Sequence, residues 1–381
     1  MRTLMICTEK LPVPPVRGGA IQTYIAAIAP QLARHYTLTV LGVRDPELPE
    51  RESREGVQYV RIPGGSLPLY QEGVVEFLKR EGKRFDLIHL FNRPKLVLPV
   101  REVLPQSRII LSMHNEMFRP GKIEPGEAER AIDEVESIIT VSDFIGRGIE
   151  RRYPSVRGKW RTIYSGVDLE RFAPVWTPEA KRIRARLRAE HQLGSGPVIL
   201  FVGRLSPKKG ADILIRSMEE VARRHPDAQL VLVGSKWYGE DQISDYVAYV
   251  RALAARAPVK VHTTGYVPAD QVHHWFAAGD IFVCASQWEE PLARVHYEAM
   301  AAGLPIVTTA RGGNPEVVRG LGNGFVVEEP ASPGAFAAVL RKLLADGRLR
   351  AEMGRRGRAL AEERFGWDRV VREIRSVWGR V

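Results

Sequence analysis

A chain of 381 residues is too long for one ordinary core, so two domains are expected. Its 44% hydrophobic share suits a globular protein, and no apolar run approaches the roughly 20 residues of a membrane span. The formal charge of +11 invites polyanions, yet the charges are interspersed, and no basic stripe with aromatics marks a nucleic-acid binder.

The opening "MRTLMICTEK" has an apolar stretch too short for a signal peptide and reads as a first buried strand. "TLTVLGV", "VQYVRI", "DLIHLF", "RIILSMH" and "SIITVS" read as further strands, with helix-length segments such as Ala20 to Arg34 between several of them. Continuous apolar strands alternating with helices predict a parallel sheet covered on both faces. After "VSDF" a basic cluster appears: Arg147, Arg151, Arg152, Arg157, Lys159 and Arg161, opposed only by Glu150. It is either a solvated face or a patch for an anionic membrane surface. Beyond "YSGVDLERF" the pattern breaks at a charged helix and the loop "GSGP". The alternation then restarts with "VILFVG", "QLVLVG", "VKVHTTG", "DIFVCAS", "PIVTTA" and "FVVEE". The expected boundaries are 1–170, 171–365 and a terminal amphipathic helix, 366–381, packing back on the first domain. Cys7 and Cys284 lie in strand-like runs far apart, as buried thiols in a reducing cytoplasm would.

Ligands of doubly wound sheets bind at the carboxyl ends of the strands, here expected between the two halves. Gly18 and Gly19, in "PPVRGGAIQTY", stand between the first strand and first helix, where backbone can approach a ligand or simply turn tightly. His114 ends the strand "RIILSMH"; His89, His273, His274 and His296 read as structural. "FVGRLSPKKG" places Arg204, Lys208, Lys209 and Gly210 after a strand, a setting for a diphosphate as well as a solvated loop. In "SQWEEPLARVHYEAMAAGLPIVTTARGGNPEVV", Glu290 follows a strand. A helix is expected to begin near Pro291 to Arg294, with Glu298 about two turns on. Two acids there suit a polyhydroxylated ligand. No P-loop, dinucleotide glycine fingerprint, G-x-S-x-G elbow, D-x-D or zinc spacing occurs.

Together these residues resemble retaining glycosyltransferases of family 4, over nearly the whole chain. The family's E-x7-E falls on Glu290 and Glu298, its phosphate-binding pair on Arg204 and Lys209, its glycine pair on Gly18 and Gly19, and its crevice histidine on His114. "VSDFI" with Ser142 and "YSGVD" with Asp168 match two further segments. "EEPLARVHYEAMAAGLPIVTTARGGNPEVV" also resembles spore-coat-associated members. The chain departs from the family at Ala293, where "PFG" is common, and at Ser165, where Asn is usual.

The resemblance implies an α/β GT-B fold, two doubly wound Rossmann-like domains across a crevice. It implies an enzyme moving a sugar from a nucleotide diphosphate sugar, such as a UDP-sugar, with retained anomeric configuration. No cofactor or metal is implied, because Arg204 and Lys209 neutralise the leaving diphosphate. Glu298 would bind ribose. Glu290 and the amides of Leu292, Ala293, Arg294 and Val295 would hold the sugar, with His114 contacting it from the first domain. Gly203, Tyr266 and Val267 complete the donor-binding set. The acceptor is an unidentified glycan, lipid-linked or coat component, reached in the cytoplasm, at the inner membrane face or at the spore coat. Arg204 and Lys209, as crevice-loop residues, are expected to be replaceable without harm to folding. The competing expectation is a coat-structural or sugar-nucleotide-binding protein with little turnover.

Overall fold

The computed structural model describes residues 1–81, 85–236 and 243–379. Met1–Gly166 with Trp367–Val381 form one compact unit, unit 1, and Val167–Gly366 form unit 2.

Unit 1 is built on strands β1 (Arg2–Ile6), β2 (Thr37–Val43), β3 (Arg51–Arg54), β4 (Val57–Ile62), β5 (Leu87–Phe91), β6 (Arg108–Met113), β7 (Ser137–Thr140) and β8 (Trp160–Thr162). They form an eight-stranded sheet in the order β3-β4-β2-β1-β5-β6-β7-β8. Ile6 lies opposite Leu41 of β2 and Leu90 of β5, so β1 is central. Helices α1 (Ala20–Ala33), α2 (Leu67–Glu81), α3 (Val97–Val103), α4 (Pro125–Glu134) and α5 (Asp143–Arg152) connect the strands. Side chains alternate across the sheet, so each strand feeds two cores. Leu4, Ile6, Ile88, Leu90 and Leu111 pack with Val74, Val100 and Ile132 on one face. Met5, Cys7, Val40 and Ile110 pack with Tyr24, Ile28, Ile374 and Trp378 on the other.

Two strands escaped the sequence reading. β3, "RESR", has no apolar run; it pairs antiparallel at the sheet edge and is mostly exposed, where charge is tolerated and discourages further pairing. β8 is three residues long and extends the other edge.

Unit 2 begins with α6 (Pro178–Glu190). Its strands are β9 (Val198–Val202), β10 (Gln229–Val233), β11 (Lys260–Thr263), β12 (Ile281–Cys284), β13 (Ile306–Thr309) and β14 (Gly324–Val327). All pair in parallel, in the order β11-β10-β9-β12-β13-β14. Helices α7 (Ala211–Ala222), α8 (Asp245–Ala255), α9 (Val272–Ala278), α10 (Val295–Ala301), α11 (Pro333–Ala345) and α12 (Gly347–Arg364) cover it. Ile199, Leu230, Leu232, Val283 and Val307 form one core with α7 and α11.

The chain returns to unit 1 as α13 (Trp367–Trp378). Val370, Val371, Ile374 and Trp378 repeat at helical spacing and are buried against the α1 side of the sheet. Trp378 Nε1 donates to His89 Nδ1 at 3.3 Å, and Arg108 binds the Trp378 carbonyl at 2.6 Å. Both cysteines are buried free thiols. Among the described residues, no helix is long and apolar enough to cross a membrane.

Candidate functional site

In unit 2 the chain runs outward from β9 to β11 and then crosses to β12 on the other side. The gap between β9 and β12 is therefore the topological switch point, where doubly wound sheets open a ligand site at the strands' carboxyl ends. Two loops meet there. The first, 203–210, follows β9; its Gly203 and Leu205 amides donate to Val233 and Ser235 carbonyls at 3.0 and 2.9 Å. It carries half-buried Arg204, exposed Lys208 and half-buried Lys209. The second, 285–294, follows β12. Gln287 N–H donates to the Lys208 carbonyl at 2.8 Å, joining the loops by backbone. Lys208 lies 5.1 Å from the Trp288 ring centre.

The Lys209 ammonium pairs with one oxygen of Glu290, and the Ser286 hydroxyl donates to the other. Glu290 is 7% exposed. Burial pushes its carboxyl up, but Lys209 and the hydrogen bonds outweigh this and hold it below the ordinary glutamate range. The expectation that Lys209 could be removed without harm to folding is corrected here, because its loss strands a buried charge.

The segment from Glu290 to Arg294 is not yet helix. α10 starts at Val295, so Glu298 sits in its first turn rather than two turns along. The cause is the loop after β13, which grips the segment. Gly313 N–H donates to the Glu290 carbonyl at 2.8 Å, and Asn314 Oδ1 accepts from Ala293 N–H at 3.0 Å. Gly312 has φ 56, and a Cβ there would lie 1.9 Å from the Glu290 carbonyl oxygen. The Ala293 amide is thus committed to Asn314 rather than offered to a sugar, correcting its expected role. Leu292 and Arg294 flank it, half-buried like Val295. Glu298 lies 3.6 Å from Arg294. Burial raises its carboxyl above the ordinary value, against the pull of Arg294 and Arg171. Tyr266, just beyond β11, is 40% exposed, and Val267 beside it is half-buried. The sequence reading missed Ser286 and Asn314, polar residues in the segments that follow β12 and β13.

Unit 1 has its own switch point, between β1 and β5. There Arg93, after β5, holds Glu9, after β1, through Nε and Nη2 at 2.6 and 2.8 Å. Burial pushes the Glu9 carboxyl up, and Arg93 more than reverses this. Neither residue was singled out from sequence, because 84 positions separate them. Asn92 Oδ1 accepts from the backbone N–H of His114 and Asn115 at 3.1 and 2.9 Å, fixing His114 at the end of β6. Gly18 and Gly19 precede α1; a Cβ on Gly19 would meet Gln22 Oε1 at 2.3 Å. His89 and His296 are buried and hydrogen-bonded to Ser112 and Thr308. Burial lowers them to about 3 and about 4, so both stay neutral. Ser142 caps α5, and Asp168 accepts from the Glu170 and Arg171 amides. The Ser165 hydroxyl is buried without a hydrogen-bond partner.

The basic cluster is more neutralised than its sequence suggests. Besides Glu150, which pairs with Arg157 at 2.9 Å, Asp143 faces Arg147 and Glu116 faces Arg152, both at 3.5 Å. Lys159 binds the carbonyls of Ile132, Asp133 and Val135. Arg161 reaches Ser376.

Residues 18–171 match Glycosyltransferase Family 4, and residues 183–360 match Glycosyl transferases group 1. Spore coat protein SA of Bacillus subtilis (strain 168) is 44% identical over 99% of this chain and 99% of its own. The chain belongs to the family 4 glycosyltransferases. The putative glycosyltransferase YtcC of the same organism is 42% identical over 100% of this chain and 92% of its own. The crystal structure of Anabaena Alr3699/HepE in complex with UDP and glucose superposes with a TM-score of 0.78 at 22% identity, covering 100% of both chains. The fold of this glycosyltransferase is accordingly GT-B, two Rossmann-like units with parallel sheets.

Proposed function

We propose that this glycosyltransferase takes its sugar from a nucleotide diphosphate sugar, retains the anomeric configuration and needs no metal. The observation that carries this reading is the Lys209–Glu290 pair at the unit 2 switch point, flanked by Arg204 and Lys208. An arriving diphosphate competes with Glu290 for the Lys209 ammonium. Lys209 and Arg204 then neutralise the charge that grows on the leaving group, the electrostatic term that dominates such catalysis. Glu290, released, accepts from sugar hydroxyls. Glu298 is assigned to accept from ribose hydroxyls; burial raises its carboxyl above the ordinary value. Tyr266, Val267 and Gly203 are assigned to the nucleotide, and Leu292, Arg294 and Val295 to the sugar. The family resemblance also assigns Gly18, Gly19 and His114, all in unit 1.

The donor's anomeric C–O bond breaks as the acceptor oxygen bonds the same face, and the acceptor's hydroxyl proton passes to the departing diphosphate. The bound UDP and glucose of the Anabaena protein favour a UDP-sugar. Similarity to Spore coat protein SA favours an acceptor of the coat or cell envelope, held by unit 1. That similarity equally admits a coat protein with little turnover.

The test is a thermal-shift panel of UDP-, GDP- and ADP-sugars, followed by turnover of the stabilising donor in excess chelator. Stabilisation with turnover in chelator is the expected result. Stabilisation with neither transfer nor hydrolysis selects the coat-structural reading. An absolute need for Mg²⁺ or Mn²⁺ removes metal independence.

A further inference from the structure

A line of aromatic rings joins His114 to the place where the chain leaves and re-enters unit 1. Tyr24, on α1, meets the His114 ring edge-on, with centroids 5.0 Å apart at 80°. Tyr24 also meets Trp367, the first residue of α13, at 5.6 Å and 79°. Phe91 lies 5.9 Å from His114. Trp367 in turn covers Gly166, the last residue before the chain crosses to unit 2; a Cβ at Gly166 would lie 2.5 Å from the indole. The crossing segments are stitched together. Val167 N–H donates to the Phe365 carbonyl at 2.8 Å, and Arg369 Nη2 binds the carbonyls of Tyr164 and Ser165 at 2.8 and 3.2 Å. Residues 164–167 and 365–369, Trp367 among them, are therefore tied by backbone and side-chain hydrogen bonds.

We propose that Tyr24 and Trp367 are positioning residues for His114, transmitting the placement of the crossing segments to its imidazole. This rests on the reading of His114 as a residue that contacts the transferred sugar. Edge-to-face rings fix orientation as well as distance. Tyr24 is 2% exposed, and burial holds its phenol protonated, so it acts through its ring rather than as a base. A small displacement of a positioned group costs far more rate than binding.

The test uses the full chain with its nine histidines labelled at the Cε1 carbon, the His114 signal being assigned by its loss in His114→Gln. Trp367→Leu, which removes the indole packed on Tyr24, is expected to shift that signal. It is also expected to lower kcat about tenfold, with donor KM unchanged. Tyr24→Leu is expected to do more, and Tyr24→Phe to restore both readouts. Donor-induced thermal stabilisation checks that each variant folds, and half-buried Trp367 keeps the test usable should Tyr24→Leu fail to fold. A wild-type His114 signal and kcat in Trp367→Leu overturn the proposal. A shifted His114 signal in Trp367→Leu alongside full turnover in His114→Gln overturns the sugar-contact reading, and the proposal with it.

Discussion

Both units place an acid–base pair across the switch point of their sheet, yet the two pairs are built for different ends. In unit 1 the cation is a guanidinium that grips Glu9 with two parallel hydrogen bonds. A bidentate fork is rigid and its charge is spent on its partner. In unit 2 the cation is Lys209, a point charge on a flexible stem, with Arg204 and Lys208 on the same loop. A lysine can leave one oxygen for another without breaking a fork. The first pair thus locks two loops at no net charge, while the second sits on a loop with two further cations. The same topology supplies a fixed wall in one unit and an exchangeable contact in the other.

Substitutions can break or sharpen that contrast. The largest effect is expected at Lys209→Ala: turnover falls about 100-fold, and about 3 kcal/mol of stability is lost because Glu290 is left buried without its cation. Steady-state kinetics and urea unfolding read the two separately; near-wild-type turnover would make the unit 2 pair as structural as that of unit 1. Arg93→Met is expected to lose about 3 kcal/mol while donor-nucleotide affinity stays put, and adding Glu9→Gln should recover most of it. A loss of donor affinity there would end the separation of roles.

Acid sharpens the comparison further. Glu9 and Glu290 are both held below the ordinary glutamate value of 4.5. Their stabilising contribution is complete above about pH 4.5 and disappears as pH falls through their lowered folded values. Unfolding free energy should drop steeply on that acid side, and Glu290→Gln should flatten the slope. Glu298 has the opposite sign. Its raised carboxyl is favourable only when protonated at low pH and becomes a cost as pH rises through its folded value. Glu298→Gln should therefore raise the melting temperature at pH 7, by about 1 kcal/mol equivalent, while weakening donor binding in calorimetry. A lower melting temperature would reveal an undetected role for the carboxylate in folding.

The smallest effect concerns the surface of α5. Arg147, Arg152 and Arg157 already face carboxylates, so attraction to anionic vesicles should be weak and confined to low salt. Each basic residue near such a surface contributes about 1 kcal/mol. Cosedimentation of wild type and Arg151→Glu measures it; equal binding to neutral and anionic vesicles dismisses the membrane idea.

Strands such as "TLTVLGV" and "VQYVRI", the glycine pair, the cations after β9 and the two spaced glutamates were legible in the sequence. Each is a local pattern: apolar runs long enough for a buried strand, or a polar residue a fixed distance past one. The edge strand "RESR" was not, since edges tolerate charge and so carry no apolar signature. Nor was the start of α10 at Val295, which the Asn314 contact to Ala293 decides from 21 positions away. Lys209 with Glu290 and Arg93 with Glu9 lie 81 and 84 positions apart. Of those four, only Lys209 and Glu290 were named from sequence. Which charge neutralises which depends on strand order, and strand order is set by the packing of distant segments into one sheet.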